Sequence, residues 1–310
     1  MDLDRRGFLM GTATLLGASA AAVAGAAETR AGEQGAFQAV RASTAAELYG
    51  SSPGGAGPAA MAGLIAQVAP RMVRCYDGGQ PQSFANTAQA RWVPLGLTLF
   101  HSTKPNLSLM ARGDRATLNA VLTTLLGEPD VPGVRVCIQH EPENPGKDAP
   151  PWGTNSGSGA IRPADFRAAW SVYLDLVDTA NTGRSHALRP VPTFMGFSLS
   201  VRSRDIGGQW MPDDSRVKEV GFDCYQTAEL AAAHAFAQAR GLHWCVPEWG
   251  FSALGVTPTD AQYRRRMSTD HAVWTQFARR PTCVLLFNRG ADSLSNHPRS
   301  AGFWRALCAL

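Results

Sequence analysis

Val134-Arg135-Val136-Cys137-Ile138-Gln139-His140-Glu141-Pro142 is an apolar run that stops on a cluster of polar groups, and Trp244-Cys245-Val246-Pro247-Glu248-Trp249-Gly250 repeats that form later in the chain. A short, near-continuous apolar run bounded by turn residues reads as a strand covered on both faces, the kind that parallel sheets use. Six more such runs span Phe37 to Ala42, Met72 to Tyr76, Trp92 to Phe100, Val191 to Phe197, Glu219 to Tyr225, and Cys283 to Asn288. Helical periodicity fills the intervals: Ala59 to Ala69, Asp114 to Leu126, Pro163 to Thr182, Thr227 to Arg240, Asp260 to Arg279 and Ala301 to Leu310. Eight strands, each handing over to a helix, predict an α/β fold of the (β/α)8 TIM-barrel type. A doubly wound open sheet competes, but no G-x-G-x-x-G or G-x-x-x-x-G-K-[ST] follows an early strand.

The N-terminus is read separately. Asp4-Arg5-Arg6-Gly7-Phe8-Leu9-Met10 places a twin-arginine pair before an Ala- and Gly-rich stretch, the pattern of an export signal over residues 1–30. About 280 residues remain, which suits one barrel over residues 31–310. No later segment approaches the roughly 18 to 20 continuous apolar residues of a membrane span. The expected product is therefore a secreted, monomeric protein that meets the membrane only through the export machinery. The formal net charge of +4 is small and scattered, apart from Arg264-Arg265-Arg266, so no nucleic-acid partner is expected. Six cysteines, at 75, 137, 224, 245, 283 and 308, lack zinc-site spacing and read as small core hydrophobes. Cys245 and Cys283, on neighbouring strands, are the pair best placed for a disulfide. No cofactor or metal is expected.

Barrel chemistry collects at the C-terminal ends of the strands. Those ends read Arg74-Cys75-Tyr76-Asp77, Phe100-His101, Gln139-His140-Glu141, Asp223-Cys224-Tyr225-Gln226, Glu248-Trp249 and Asn288-Arg289. Glu141 and Glu248 stand where their apolar runs stop. Two carboxyls held on rigid strands suit cleavage of a glycosidic bond, one donating a proton to the leaving oxygen and the other attacking the oxocarbenium-like centre. The plainer reading of either residue alone is a strand cap or an arginine partner. Glu143 rivals Glu141, although Pro142 ends the strand between them. Trp249, Trp152, Trp210 and Tyr76 are candidate platforms for the apolar face of a sugar ring; His101 and Asn288 are candidates for further substrate contact. His140 reads equally as a sugar-hydroxyl contact and as a satisfied buried histidine. His101, His140 and Asp223 form no recognisable metal-ligand set, and no H-E-x-x-H or G-x-S-x-G motif occurs.

These residues resemble the clan A glycoside hydrolases, and the resemblance spans most of the chain after residue 30. The clan carries its acid/base after strand four, commonly as Asn-Glu-Pro, and its nucleophile on strand seven. His140-Glu141-Pro142 is similar to the family 26 mannanase branch, in which a histidine precedes the acid/base. The resemblance implies Glu141 as acid/base, Glu248 as nucleophile, Tyr225 as the tyrosine that hydrogen-bonds the nucleophile, and Arg74 as the arginine near the end of strand two. It further implies a retaining hydrolase of a β-linked polysaccharide such as β-mannan. The chain departs from the clan at strand eight, where Leu286-Phe287-Asn288-Arg289 replaces the usual tryptophan, and after Glu141, where Trp152 alone stands in the loop. A noncatalytic carbohydrate-binding barrel, or a clan A hydrolase of another β-glucan or of xylan, remains open on the sequence. For the leader, intact-mass analysis of exported protein is expected to place the new N-terminus between Gly25 and Ala31. Replacing Arg5 and Arg6 by lysine is expected to leave the full-length chain in the cytoplasm.

Overall fold

The computed structural model describes residues 48–52, 63, 65–76, 97–143, 161–200, 205–251, 258–287, 294 and 297–309. In chain order these give β1 (Leu48–Ser52), β2 (Met72–Tyr76), β3 (Thr98–Thr103), α1 (Leu107–Ala111), α2 (Arg115–Leu126), β4 (Arg135–Ile138), α3 (Pro163–Asn181), β5 (Arg189–Pro190), β6 (Thr193–Met195), α4 (Gly196–Ser200), a π-helical turn (Ile206–Trp210), β7 (Glu219–Asp223), α5 (Thr227–Ala239), β8 (His243–Trp249), α6 (Asp260–Gln276), β9 (Cys283–Phe287) and α7 (Pro298–Cys308). No helix among them is long and apolar enough to cross a membrane.

All strand pairs are parallel, in the order β5-β4-β3-β2-β1-β9-β8-β7-β6. The two ends of that order are pieces of one run. Val191 N–H donates to Val136 on β4 at 2.9 Å, and Gly221 of β7 donates to Pro192 at 2.9 Å, so residues 189–195 bridge both neighbours. Pro190 and Pro192 lack an N–H, and each breaks the ladder locally. Counted this way, eight strands close into a barrel, and the fold is the expected (β/α)8 architecture.

The boundaries moved in physically legible ways. The first strand expected at 37 to 42 lies outside the described residues; β1 occupies Leu48–Ser52, between β2 and β9. The third strand runs beyond His101 to Thr103. Phe197, expected in the fifth strand, belongs to α4. Asp114 caps α2 by accepting from Thr117 N–H at 2.9 Å, and Thr259 with Gln262 forms a capping box on α6, which sharpen those starts.

A polar bolt crosses the barrel floor. Arg135 Nε donates to Glu219 at 3.0 Å, and the Thr282 hydroxyl donates to the same carboxylate oxygen, joining β4, β7 and the approach to β9. Gly221 sits directly above it on β7, where a Cβ would come within 2.8 Å of both Pro247 and Thr193. Cys245 and Cys283 face each other beside this bolt, and all six cysteines are free and buried. Because a buried charge left alone costs far more than a paired one, Arg135→Met is expected to lower unfolding stability by about 3 to 5 kcal/mol in urea titrations. Combining it with Glu219→Leu is expected to restore much of that loss, and a purely additive double variant contradicts the pairing.

Candidate active site

The upper barrel is organised around Arg74 on β2, whose side chain is fully buried. Its Nη1 lies 2.8 Å from Asp223 Oδ1 on β7 and 3.2 Å from Glu248 Oε1 on β8, and Nη2 reaches Ser102 Oγ on β3 at 3.4 Å. Burial alone would favour the neutral guanidine; Asp223, then Tyr76 and Glu248, outweigh it and push the pKa up, so the group stays charged. Asp223 is pushed the other way by the same burial, its carboxyl raised well above the ordinary range despite Arg74.

Glu248 collects three donors. The hydroxyls of Tyr76 and Tyr225 each donate to one of its oxygens, and Arg74 adds its charge. Burial and the nearby carboxylates push both phenols well above their usual range, so both remain protonated donors. The side chain reaches the interior because β8 is irregular. Val246 pairs with Val284 but Trp249 pairs with Leu286, one residue more on β8 than on β9. Such a bulge re-aims the side chains beyond it. Cys245 faces inward, so plain alternation would have turned Glu248 outward.

A second irregularity serves Glu141. Gln139 and Glu141 hold positive φ values of 47° and 50°, a conformation that side chains other than glycine, asparagine and aspartate rarely adopt. Gln139 N–H donates to Thr103 on β3 at 2.8 Å, whereas Glu141 N–H donates to Thr193 on β6 at 2.8 Å. Residues two apart on a regular parallel strand face the same neighbour, so His140 marks a reversal of the ladder. The result groups His140, Glu141 and Asp223, all buried, with ligand-type atoms within 4.8 Å of one another. The His140 ring lies 5.3 Å from that of Tyr76.

The structure therefore brings together Glu141, Glu248, Tyr225, His140, Arg74 and Tyr76, with Tyr76 placed as a hydrogen-bond donor to Glu248 rather than as a free platform. Three expected substrate contacts stand elsewhere. Trp249 follows the bulge and points into the helix layer, where its indole N–H donates to Asp270 of α6 at 2.7 Å and its ring stacks on Trp304 of α7 at 5.7 Å. His101 shares the outward register of Cys75 and bonds Glu128, beyond α2. Trp210 packs edge-on against Phe166 of α3 at 6.0 Å. Full packing leaves none of these three a face for sugar. Trp152 and Asn288 lie outside the described residues. Glu143 is turned aside: its carboxylate accepts from Met195 N–H at 2.5 Å and so secures the end of β6. Asp223, noted in the sequence only as a strand-end residue and as part of no recognisable metal set, is the central group of the cluster. Its signal was the inward spacing Glu219, Gly221, Asp223 along β7.

No family model and no curated protein matches the chain in sequence. Solved structures do match in fold. The chain is similar to the GH26 domain of a Prevotella bryantii endo-β-mannanase/endo-β-glucanase, with TM-score 0.54, 11% identity, and coverage of 89% of this chain and 92% of that one. It is similar to a modular endo-β-1,4-mannanase from Cellulomonas fimi, with TM-score 0.54, 14% identity, and coverage of 85% and 70%. A Bacteroidetes-affiliated GH5 cellulase matches with TM-score 0.52, 12% identity, and coverage of 87% and 92%. At these identities the likeness establishes the (β/α)8 fold.

Two buried carboxyls behind the site give a pH signature. Burial raises Glu143, and likewise Glu229, which accepts from Tyr225 N–H at 2.6 Å; both rise from 4.5 to about 7. The folded chain thus keeps protons that the unfolded chain releases, and stability is expected to fall as pH rises from about 4.5 to about 7. Urea unfolding across that window should show the decline, and Glu143→Gln with Glu229→Gln should flatten it. An unchanged slope in the double variant contradicts the assignment.

Proposed function

We propose that this chain is an exported, retaining glycoside hydrolase that cleaves β-glycosidic bonds of a polysaccharide, with β-mannan the first substrate to test. The observation that carries this reading is the convergence of Tyr76, Tyr225 and Arg74 on Glu248, while a second buried carboxyl, Glu141, stands in the same cluster across Asp223. Two tyrosyl hydroxyls and a guanidinium hold the Glu248 carboxyl in a fixed orientation. In the proposed reaction a Glu248 oxygen attacks the anomeric carbon as the bond to the leaving oxygen breaks, and Glu141 gives that oxygen its proton. Glu141, now ionised, takes a proton from water; the hydroxide portion displaces Glu248 from the anomeric carbon and returns the enzyme to its starting state. His140, between Tyr76 and Glu141, is placed to meet sugar hydroxyls.

The mannan preference rests on His140 before Glu141 and on the fold shared with GH26 mannanases; secretion rests on Arg5-Arg6 and the stretch after them. A noncatalytic carbohydrate-binding barrel, in which the same buried carboxyls would bind sugar hydroxyls without bond cleavage, is the second reading.

Incubation with β-mannan, xylan and β-glucan separates the readings. Wild type is expected to release reducing sugar from one of them, and the first product seen by proton NMR to keep the β configuration. Glu248→Gln and Glu141→Gln are each expected to lose about a thousandfold or more in kcat. Tyr225→Phe is expected to lose about tenfold in kcat with little change in KM, because it removes one donor from the nucleophile. Near-normal turnover by Glu248→Gln sinks the assignment, and glycan binding without bond cleavage favours the binding barrel.

A further inference from the structure

We propose that His140, Glu141 and Asp223 form a binding site for a borderline transition-metal ion, with zinc as the probe. One imidazole nitrogen and two carboxylate oxygens, all within 4.8 Å of one another, converge from the ends of β4 and β7. Tetrahedral zinc with bonds of about 2.0 to 2.2 Å holds its ligands roughly 3.4 Å apart, so side-chain rotations of about 1 Å close the set.

A second observation points to the same place. Asp223 spends Oδ1 on Arg74, while its Oδ2 is buried and, among the described residues, meets no hydrogen-bond donor. Such an oxygen costs free energy until a proton or a cation occupies it. Charge is compatible with a cation: Asp223 and Glu248 share the Arg74 guanidinium, and Glu141 adds a third carboxyl beside Asp223. A nitrogen donor with two carboxylates suits zinc, whereas calcium requires six to eight oxygens. Three protein ligands leave the fourth position open to water. Occupation ties up Glu141, so zinc is also expected to block proton donation to a leaving group. That inhibitory consequence rests on the proposed hydrolase reading; the binding does not.

The test is calorimetric titration of zinc chloride into the full chain, beside crystals soaked in zinc and measured at its absorption edge. One saturable zinc per chain is expected, with an anomalous peak about 2.0 to 2.2 Å from the three ligands. His140→Ala and Asp223→Asn are each expected to weaken zinc at least about tenfold. His243→Ala, at the exposed start of β8, is expected to change nothing, and calcium chloride to give no saturable binding. The absence of saturation at millimolar zinc, a peak elsewhere, or unaltered affinity in both ligand variants overturns the site. Should the variants fail to fold, the wild-type anomalous map alone decides. Zinc at this position in a chain that cleaves no glycan upholds the site and removes the proposed function; cleavage without zinc binding does the reverse.

Discussion

A guanidinium sealed from water must find its counter-charges inside the protein, and Arg74 finds them on strands opposite its own. Asp223 on β7 and Glu248 on β8 hold it at 2.8 and 3.2 Å, so one ion-pair cluster ties three strands together across the barrel. Removing one partner of such a cluster strands the others as uncompensated buried charge. That cost makes the position of Glu248 a structural matter as well as a chemical one. Tyr76 and Tyr225 complete the arrangement from β2 and the end of β7, each donating to one oxygen of the buried Glu248 carboxyl.

The second constraint is backbone irregularity. A uniform parallel barrel alternates its side chains, and alternation from the inward Cys245 would send Glu248 among the helices. The extra residue on β8 prevents this. On β4 the positive φ angles of Gln139 and Glu141 accomplish a similar turn, and the backbone hydrogen bonds to Thr103 and Thr193 hold that unfavourable conformation from both sides. Strain of this sort persists only where the surroundings over-determine it, and such positions gather at functional sites. Behind them, Glu143 and Glu229 pin the ends of β6 and β7 through the N–H groups of Met195 and Tyr225.

Much of this was legible before any coordinates. Apolar runs ending on polar residues located seven of the eight barrel strands, since burial on both faces leaves little room for other residue types. The same signal singled out Glu141, Glu248, Arg74 and Tyr225. The failures have separate physical causes. Trp249 and His101 were read by sequence position at strand ends, whereas their direction depends on strand register and bulges, which composition does not reveal. The strand Leu48–Ser52 was not read because Tyr49-Gly50-Ser51-Ser52 carries few apolar side chains and gains its place from pairing with β2 and β9. Asp223 was noted at its strand end but given no role, because a lone acid in an apolar run becomes meaningful only when Arg74 arrives from across the barrel.

In the proposed reaction Glu248 forms a covalent bond to sugar while Glu141 handles the proton. Mass spectrometry after incubation with an activated 2-deoxy-2-fluoro β-glycoside tests it most directly, because the fluorine slows release of the glycosyl-enzyme more than its formation. The account predicts a mass increase of one fluorosugar per chain, mapped by peptide fragmentation to Glu248 and absent from Glu248→Gln. An adduct on another residue, or steady turnover of the native substrate with inverted product and no adduct, would contradict it.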